Sequence, residues 1–472
     1  MIPAIRQGRS ATLAGTLLLG GLAACTSDST RESGDSREPT ESLDVVIVGA
    51  GAAGLAAAMD LPGAVVLEAD EAPGGRALYS GAVLQFVGTP EQEEAGVVDS
   101  VGDAVGDWPT LTGGPATATT ERWLTASAAV HDRLGGLGVS FALADPDPLL
   151  HRRRLHMIAG EGRALVDALV AALPESVEIR TGTRVTGLRL DGAKVVGVET
   201  ESGPMDARTV IVATGGFANR ADLLARYVTW PAGSWAIGDD PYSEGAALDW
   251  ALAGGLGVAH PEAVGSNANV IGLAGAAGGA TRARNDPWIW VDEAGARFVD
   301  ESQGWSLTLA SSAEAHAPTW AIAASAELEP AVDAADWAAI APALRCAPAP
   351  VALAEALGLD SEAFVDTVAA AASARASGGK DAWGRAAPSL PNLTGELCAF
   401  PPGRLASKSF GGLDVDDAGQ VRAADGTPIA GLYAAGEAAG MAQPGLGGAW
   451  GCDGSLSAVI WSGWQVAATL RE

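Results

Sequence analysis

A glycine-rich segment between two apolar runs constrains the fold of this chain more than any other feature. Residues 44–48 lead directly into Gly49-Ala-Gly51-Ala-Ala-Gly54, and a short apolar stretch then leads to a second run that ends at Glu68. The first glycine permits a tight turn, the second lets the backbone approach a pyrophosphate, and the third lets the following helix pack closely on the strand. A carboxylate 19 residues after the first glycine accepts hydrogen bonds from ribose hydroxyls. The segment therefore predicts a strand–helix–strand unit that binds a dinucleotide.

A second glycine pair indicates which dinucleotide is bound. Five residues separate Glu68 from Gly74-Gly75-Arg76, a pattern that resembles flavoproteins with FAD bound in an extended form. Only 13 residues lie between Gly54 and Glu68, about four fewer than in that family, which predicts a helix shortened by about one turn. Pro62-Gly63 is the expected stop.

Two further segments, 209–217 and 431–440, and the start of the last predicted helix resemble flavoproteins of the fumarate reductase and succinate dehydrogenase type. The resemblance implies that Glu437 binds the ribityl chain and that Ser455-Leu456 place backbone N–H groups at the flavin pyrimidine. Neither His nor Cys occupies a recognisable attachment position, so FAD is expected to bind noncovalently. The residues implied to contact it are Gly49, Gly51, Ala52, Ala53, Gly54, Glu68, Ala69, Gly74, Gly75, Arg76, Ser80, Gly81, Ala213, Thr214, Gly215, Gly216, Gly436, Glu437, Ser455 and Leu456.

The resemblance extends over most of residues 43–472 and implies an α/β fold. We expect a discontinuous Rossmann-like FAD-binding domain at 43–235 and 385–472, with an inserted α+β capping domain at 236–384. An Ala-rich stretch from about Ala321 to Ala376 has helical periodicity and is interrupted at 348–350. The active site is expected between the cap and the flavin.

The first residues predict export. Arg6 and Arg9 precede an apolar run that ends in Leu-Ala-Ala-Cys25, which resembles the lipobox of bacterial lipoproteins. This predicts a signal peptide at 1–24, lipidation of Cys25, a flexible tether at 25–42, and a lipid-anchored protein of the bacterial cell envelope, on its periplasmic or outer surface. An ordinary cleavage site and a chance apolar run are the alternatives. The segment has no twin Arg for export of a folded protein, so either FAD is acquired outside the cytosol or the lipobox interpretation is wrong.

Composition excludes several other classes of function. The net charge of −28 argues against nucleic acid and against docking on anionic lipid, and its simplest meaning is solubility. No Cys-x-x-Cys occurs, and none of the five His has a ligand spacing with another, so no metal site is expected. Cys346 and Cys398 are either a disulfide pair or free thiols.

The positions that bind a dicarboxylate in the resembled fumarate reductases are mostly substituted here. Counted from the local motifs, the proton-donor Arg falls on Trp305, a second Arg on Trp450, and two His on Lys408 and near Ser266; only Arg284 is retained. Fumarate is therefore not the expected substrate. The resembled steroid dehydrogenases need tyrosines, and among the four Tyr of this chain only Tyr242 is a candidate.

The positions of the tryptophans suggest an aromatic substrate pocket in place of a dicarboxylate site. Seven of the fourteen lie between 230 and 320, and Trp288 and Trp290 share one face of a predicted strand. For each, packing in the core is the alternative to a place in an aromatic substrate pocket. The expected pocket residues are Trp288, Trp290, Trp305, Trp450 and Ser266.

Four residues are candidates for catalysis, and three of them have a structural alternative. Lys408 either binds a substrate oxygen and donates a proton or lies on the surface, and Arg284 either anchors an anion or forms an ion pair. Asp453 is either a base or a helix cap, and Tyr242 is the remaining hydroxyl.

These observations predict an FAD-dependent oxidoreductase. It would transfer a hydride between flavin N5 and a C–H or C=C bond of a small, partly apolar or aromatic molecule, in a direction left open. It would also need an electron donor or acceptor, which the sequence does not name. The alternative is a catalytically degenerate flavin-binding envelope protein or electron carrier.

Overall fold

A largely parallel sheet forms the centre of the structure, which is a computed structural model. The structure describes residues 43–112, 115–146, 150–228, 242–269, 288–301, 316, 319–331, 344–400, 403–441 and 454–472. Residues Glu41–Glu472 form one compact unit.

The central sheet has eight strands, with the order β18-β19-β8-β9-β1-β2-β6 and β7 paired to β8. Strand β1 lies between β2 and β9 and is parallel to both. Its residues Val46–Val48 are buried on both faces, as expected for an apolar run covered by helices. The strands are β1 (Leu43–Val48), β2 (Val65–Leu67), β6 (Glu178–Arg180), β7 (Val185–Asp191), β8 (Lys194–Thr200), β9 (Gly203–Val212), β18 (Gln420–Arg422) and β19 (Pro428–Ala434).

Two of the helices on one face of this sheet pack against each other. Helix α1 (Ala52–Ala58) is buried along its whole length and packs on the last helix, α11 (Leu456–Arg471). A Cβ atom at Gly463 would lie 2.2 Å from the carbonyl oxygen of Ala53, so this glycine permits the close approach. Helix α1 has seven residues, and Gly63 adopts a φ of +83° in the turn that follows. The predicted short helix is therefore present.

A smaller layer packs beside the last helix. Its three strands have the order β3-β5-β4, and Leu84 of β3 also bridges to Ser455. The strands are β3 (Val83–Gln85), β4 (Phe141–Leu143) and β5 (Leu155–Ile158), and the helices are α2 (Pro90–Glu94), α3 (Val101–Thr112), α4 (Ala118–Gly136) and α5 (Glu161–Ala171).

A separate four-stranded antiparallel sheet occurs in the region predicted to be the cap, in the order β12-β13-β15-β14. Helices α9 and α10 cover one face of it. Its strands are β12 (Ile289–Val291), β13 (Trp320–Ala324), β14 (Arg345–Ala347) and β15 (Leu397–Phe400), and its helices are α8 (Ser325–Ala331), α9 (Pro350–Leu357) and α10 (Ser361–Ser377). Strand β15 lies within the predicted second part of the FAD-binding domain but pairs with cap strands; the domain boundaries stay predictions.

The Ala-rich stretch is not helical throughout, and that prediction was wrong at two places. Residues Trp320–Ala324 form the central strand β13, and Arg345–Ala347 form β14. Strand β13 is hydrogen-bonded to β12 and β15 and is almost entirely buried. Burial between two strands overrides the helical preference of alanine.

The remaining strands form two antiparallel pairs. Strand β11 (Val264–Asn269) pairs with β16 (Gly403–Ser409), and β10 (Val258–Ala259) pairs with β17 (Gly412–Leu413). Helices α6 (Ala221–Tyr227) and α7 (Ala246–Gly254) lie between β9 and β10 along the chain.

Cys346 and Cys398 form a disulfide between directly opposed residues of β14 and β15. The sequence left open whether these cysteines form a disulfide or stay free thiols, and in the structure they form the disulfide. Within the described parts of the chain, none of the helices is both long and apolar enough to span a bilayer.

Candidate cofactor and active site

The geometry of the loop after β1 explains two of its three glycines by close contacts and leaves the third open to a ligand. Gly49 adopts a φ of +103°, and a Cβ atom there would lie 2.5 Å from the carbonyl oxygen of Ala213. A Cβ atom at Gly54 would lie 1.9 Å from the carbonyl oxygen of Gly49, whereas one at Gly51 would meet no atom within 4 Å. The loop is therefore packed tightly on two sides and open at Gly51, where helix α1 begins with Ala52 and Ala53. An anion at this opening faces the backbone N–H groups of the first helical turn.

Glu68 follows β2 and lies against the same loop. Its Oε2 atom accepts a hydrogen bond from the Ala50 N–H at 2.7 Å, and its Oε1 atom accepts one from the Asp70 N–H at 3.0 Å. The side chain is 8% exposed. Each carboxylate oxygen keeps a further lone pair for a ligand hydroxyl.

The second glycine pair lies beside the first loop. The Gly74 N–H donates to the carbonyl oxygen of Ala50 at 2.8 Å, and Gly74 forms a parallel bridge with Gly51. Gly74 and Gly75 both adopt positive φ angles, +127° and +48°, before a short 3-10 helix at Gly75–Tyr79. Ser80 and Gly81 follow this helix, and the Ser80 hydroxyl accepts the Ala82 N–H at 3.0 Å. Two glycine segments therefore border one opening.

The loop after β9, Ala213–Gly216, forms the next side of the site. A Cβ atom at Gly216 would lie 2.1 Å from Ser409 Oγ and 2.4 Å from Glu437 Oε2. Thr214 Oγ1 is shielded from solvent and has no hydrogen-bond partner among the residues that the structure describes. A buried hydroxyl of this kind is costly unless a ligand satisfies it. The open position at Gly51, the carboxylate of Glu68 and this hydroxyl fit a bound dinucleotide.

The flavin end of the predicted site brings together residues from three distant segments. Gly436, with a φ of +69°, packs on Ala53, and its N–H donates to Ser462 of α11 at 2.8 Å. Glu437 Oε2 accepts the Ser409 N–H at 3.4 Å. Next to Ser409, the half-buried Lys408 reaches Ser455, the residue before Leu456 at the start of α11, with 3.5 Å between Nζ and Oγ.

Tyr242, the hydroxyl candidate for catalysis, lies near the glycine loops, and its catalytic role stays a prediction. Its ring stacks on that of Tyr79, with 5.4 Å between centroids. The two hydroxyl oxygens are 3.2 Å apart. A Cβ atom at Gly215 would lie 3.3 Å from the Tyr242 carbonyl oxygen, so the backbone of Tyr242 packs beside the β9 loop.

Trp288 and Trp290 are 3% and 0% exposed. Ile289 and Val291 face the core under α9 and α10, so the two tryptophans lie on the opposite face of β12. Of the other tryptophans between 230 and 320, Trp250 and Trp320 pack against apolar core clusters, as the core-packing alternative states.

A buried ion-pair network, which the sequence did not reveal, fixes the backbone of β12. Glu301 Oε1 accepts the Trp290 N–H at 2.7 Å, and Arg385 donates to the Trp288 carbonyl oxygen at 2.7 Å. Arg297 and Arg385 both pair with Glu301, at 2.6 and 2.9 Å, and Arg297 also pairs with Asp381. The Arg297–Glu301 spacing is visible in the sequence, but nothing local points to Arg385.

Several predicted site residues belong to parts of the chain that the structure does not describe. Arg284, Asp453, Trp305, Trp450 and Cys25 lie outside the described residues. The backbone of Ser266 lies in β11 opposite Ala406, beside a β-bulge, and its side chain is likewise outside.

Comparison with known proteins supports the cofactor assignment. A family model described as an FAD-binding domain matches residues 44–449. A probable fumarate reductase of Shewanella frigidimarina is 29% identical over 216 residues, covering 40% of this chain and 35% of that protein. A KsdD-like steroid dehydrogenase of Mycolicibacterium smegmatis is 29% identical over 233 residues, covering 40% of this chain and 42% of that protein. The chain thus spans less than half the length of these two relatives.

The fold is also that of a solved structure. The 3-ketosteroid Δ1-dehydrogenase of Sterolibacterium denitrificans superposes with a TM-score of 0.74 at 18% identity, covering 92% of this chain and 100% of that one. The family match covers well over half of the chain, and the glycine loops have the geometry that FAD requires. The cofactor is therefore FAD, and the chain belongs to the FAD-binding-domain family of flavoproteins.

Proposed function

We propose that this chain is an FAD-dependent oxidoreductase that transfers a hydride between the flavin and a C–H or C=C bond of a partly apolar substrate. The observation that carries the proposal is the position of Lys408. Its ammonium group lies 3.5 Å from Ser455 Oγ at the N-terminus of α11, while the adjacent Ser409 contacts Glu437. A cation is thus held beside Ser455 and close to Glu437, the residues expected to contact FAD.

Lys408 and the start of α11 both present positive charge. The N-terminus of a helix carries a partial positive charge, and a neighbouring ammonium group adds to it. Such a place stabilises an oxygen that becomes negative during a reaction. Lys408 would therefore bind a substrate carbonyl or carboxylate oxygen and hold it in position. Bound FAD supplies the hydride donor or acceptor.

Two buried tryptophans and one similar solved structure support the proposal that part of the substrate is apolar. Trp288 and Trp290 are held in place by Glu301 and Arg385 on the face of β12 that α9 and α10 do not cover. The dehydrogenase of S. denitrificans is described in complex with 1,4-androstadiene-3,17-dione. Fumarate fits poorly, because Trp305, Trp450 and Lys408 stand where Arg and His are expected.

The test is a turnover screen of the FAD-loaded protein with artificial electron donors and acceptors. Enones, unsaturated acids and steroids are the substrates, and Lys408→Met is the informative variant. With an active substrate, we expect Lys408→Met to lower kcat/KM about 100-fold, the usual size of a lost oxyanion contact. Lys380→Met is the matched control, because Lys380 is an exposed lysine of the cap region. No turnover with any of these substrates, despite bound FAD, would favour the electron-carrier alternative.

We further propose that the protein is a lipid-anchored component of the bacterial cell envelope. The lipobox-like Leu22–Cys25 supports this, and the Cys346–Cys398 disulfide is of a kind that persists in oxidising compartments. Metabolic labelling with a fatty acid tests it. We expect the label on the wild-type protein and none on Cys25→Ser; label that persists on this variant would exclude lipidation at Cys25.

A further inference from the structure

Three side chains with metal-binding chemistry meet at one edge of the four-stranded antiparallel sheet. They are Cys346, Cys398 and Glu396, and their sulfur and carboxylate oxygen atoms all lie within 4.8 Å of one another. In the structure the two sulfurs are joined as a disulfide. The two cysteines are 52 residues apart and belong to no short Cys-x-x-Cys motif, so spacing in the sequence did not reveal this cluster.

Strand geometry places the three side chains on one face of the sheet. Leu397 and Ala399, which flank Cys398, belong to the apolar core under α9 and α10. Successive side chains of a strand alternate between faces, so Cys398 and Glu396 both face away from that core. Cys346 lies directly opposite Cys398 in the pairing of β14 with β15, and opposed residues share a face. The three side chains therefore converge on one point of the sheet surface.

The backbone that carries these residues is held by contacts other than the disulfide. Cys398 lies in β15, which pairs with β13 on its other side. The Ser325 N–H donates to the Glu396 carbonyl oxygen at 2.9 Å. Strand β14 ends at the buried Ala347, and helix α9, which begins at Pro350, packs on both β14 and β15. Opening of the disulfide therefore leaves the three residues in place.

The cluster is open to solvent on one side. Among the described strands β14 pairs only with β15, so it forms an edge of the sheet. Cys346 and Glu396 are exposed, whereas Cys398 is 2% exposed. A dissolved thiol can therefore reach the disulfide from the side of Cys346. No described residue donates a hydrogen bond to the Glu396 carboxylate or forms an ion pair with it, so this group is available as a ligand.

We propose that reduction of the disulfide turns Cys346, Cys398 and Glu396 into a binding site for a thiophilic divalent cation of the class of Zn²⁺. One thiolate of a dithiol attacks Cys346 Sγ and displaces the thiolate of Cys398. The second thiol of the reductant then closes to a disulfide and releases Cys346, which leaves two cysteine thiols on the protein. The cation binds both sulfurs and displaces their two protons.

Two thiolates and a carboxylate are ligands that Zn²⁺ accepts. A tetrahedral zinc ion holds sulfur at about 2.3 Å and carboxylate oxygen at about 2.0 Å, which places the ligand atoms about 3.5–3.8 Å apart. The three groups already lie within 4.8 Å, and rotation about the Cα–Cβ bonds separates the two sulfurs once their bond is broken. The disulfide and the metal site are thus alternative states of the same sulfurs, and the cation binds only the reduced protein.

The experiment uses the full chain with bound FAD, in a background in which the other two cysteines, Cys25 and Cys452, are replaced by serine. A phosphine opens the disulfide, and thiol counting checks that both thiols appear while the protein is folded. Zn²⁺ is the probe, with its stoichiometry measured by elemental analysis after gel filtration and its affinity by competition with a chromogenic chelator. We expect one Zn²⁺ per reduced chain and none in the oxidised chain.

Variants of the three residues identify the ligands. Cys346→Ser and Cys398→Ser should each lose Zn²⁺ during gel filtration. Glu396→Gln should weaken Zn²⁺ binding at least about tenfold, because even the loss of an outer partner of a metal ligand has an effect of that size. Glu355→Gln is the matched control, since Glu355 is an exposed glutamate of α9 outside the cluster, and it should leave the affinity unchanged. Circular dichroism and FAD absorption check that each reduced variant stays folded.

Three results would overturn the proposal. The first is a reduced, folded chain that retains no Zn²⁺. The second is equal Zn²⁺ affinity in Glu396→Gln and Glu355→Gln, which would remove the carboxylate from the set of ligands. The third is a disulfide that opens only when the chain unfolds. None of these measurements requires turnover, so this proposal and the proposed reaction fail independently.

Discussion

Gly216 lies where a side chain of any size would displace two groups of the cofactor site. A Cβ atom there would lie 2.1 Å from Ser409 Oγ and 2.4 Å from Glu437 Oε2. We expect Gly216→Ala to weaken FAD binding at least about tenfold, a loss of about 1.4 kcal/mol, as measured by fluorescence titration. Gly106→Ala is the matched control, because an added Cβ atom at Gly106, an exposed position in helix α3, meets nothing within 4 Å. Equal FAD affinities for both variants would contradict the assigned role of Gly216.

His156 makes the stability of the protein depend on pH. Burial lowers the pKa of its imidazole from 6.5 to about 4, although its Nδ1 atom lies 2.9 Å from the Arg154 carbonyl oxygen. Because the folded pKa is below the unfolded one, the unfolded chain binds this proton first. The free energy of unfolding therefore falls as the pH decreases from about 6.5 to about 4, and this group has no effect above that window.

Denaturant unfolding of wild type and His156→Gln measures this effect. Between pH 7 and pH 5, the free energy of unfolding of the wild type should fall by about 2 kcal/mol more than that of the variant. The comparison cancels the contributions of carboxylates that both proteins share. Parallel pH profiles for the two proteins would contradict the buried, neutral state of His156.

Strand β12 shows how one element is positioned by charges that lie far away in the sequence. Glu301 accepts the Trp290 N–H and neutralises Arg297 and Arg385, and its side chain is 2% exposed. Glu301→Gln leaves buried cations without a full partner, so we expect a loss of about 3 kcal/mol in the free energy of unfolding. Glu293→Gln, at an exposed turn residue, should change it by less than about 0.5 kcal/mol. A Glu301→Gln protein as stable as wild type would show that the network does not support the strand.

For the whole molecule, the parts that the sequence could predict are those that depend on local backbone geometry. Gly49, Gly54 and Gly74 each have a positive φ or a close contact that leaves no room for a side chain, and such positions are visible in a motif. Strand β13 was missed because its state depends on two partner strands that the Ala-rich sequence does not reveal.

Contacts between distant segments could not be predicted from spacing. Arg385 and Glu301 are 84 residues apart, and Tyr242 and Tyr79 are 163 apart. Lys408 was singled out only because a family resemblance gave its position, and its distance to Ser455 depends on the pairing of β16 with β11. Chemistry held together by the tertiary fold therefore required the structure.

FAD is the cofactor of this chain, and we expect it to bind noncovalently at the carboxyl edge of the main sheet. The most direct test is the absorption spectrum of the purified protein, with the flavin released by heat then identified. We expect flavin absorption bands and the release of intact FAD into the supernatant. A protein without flavin absorption, even after incubation with excess FAD, would contradict the account.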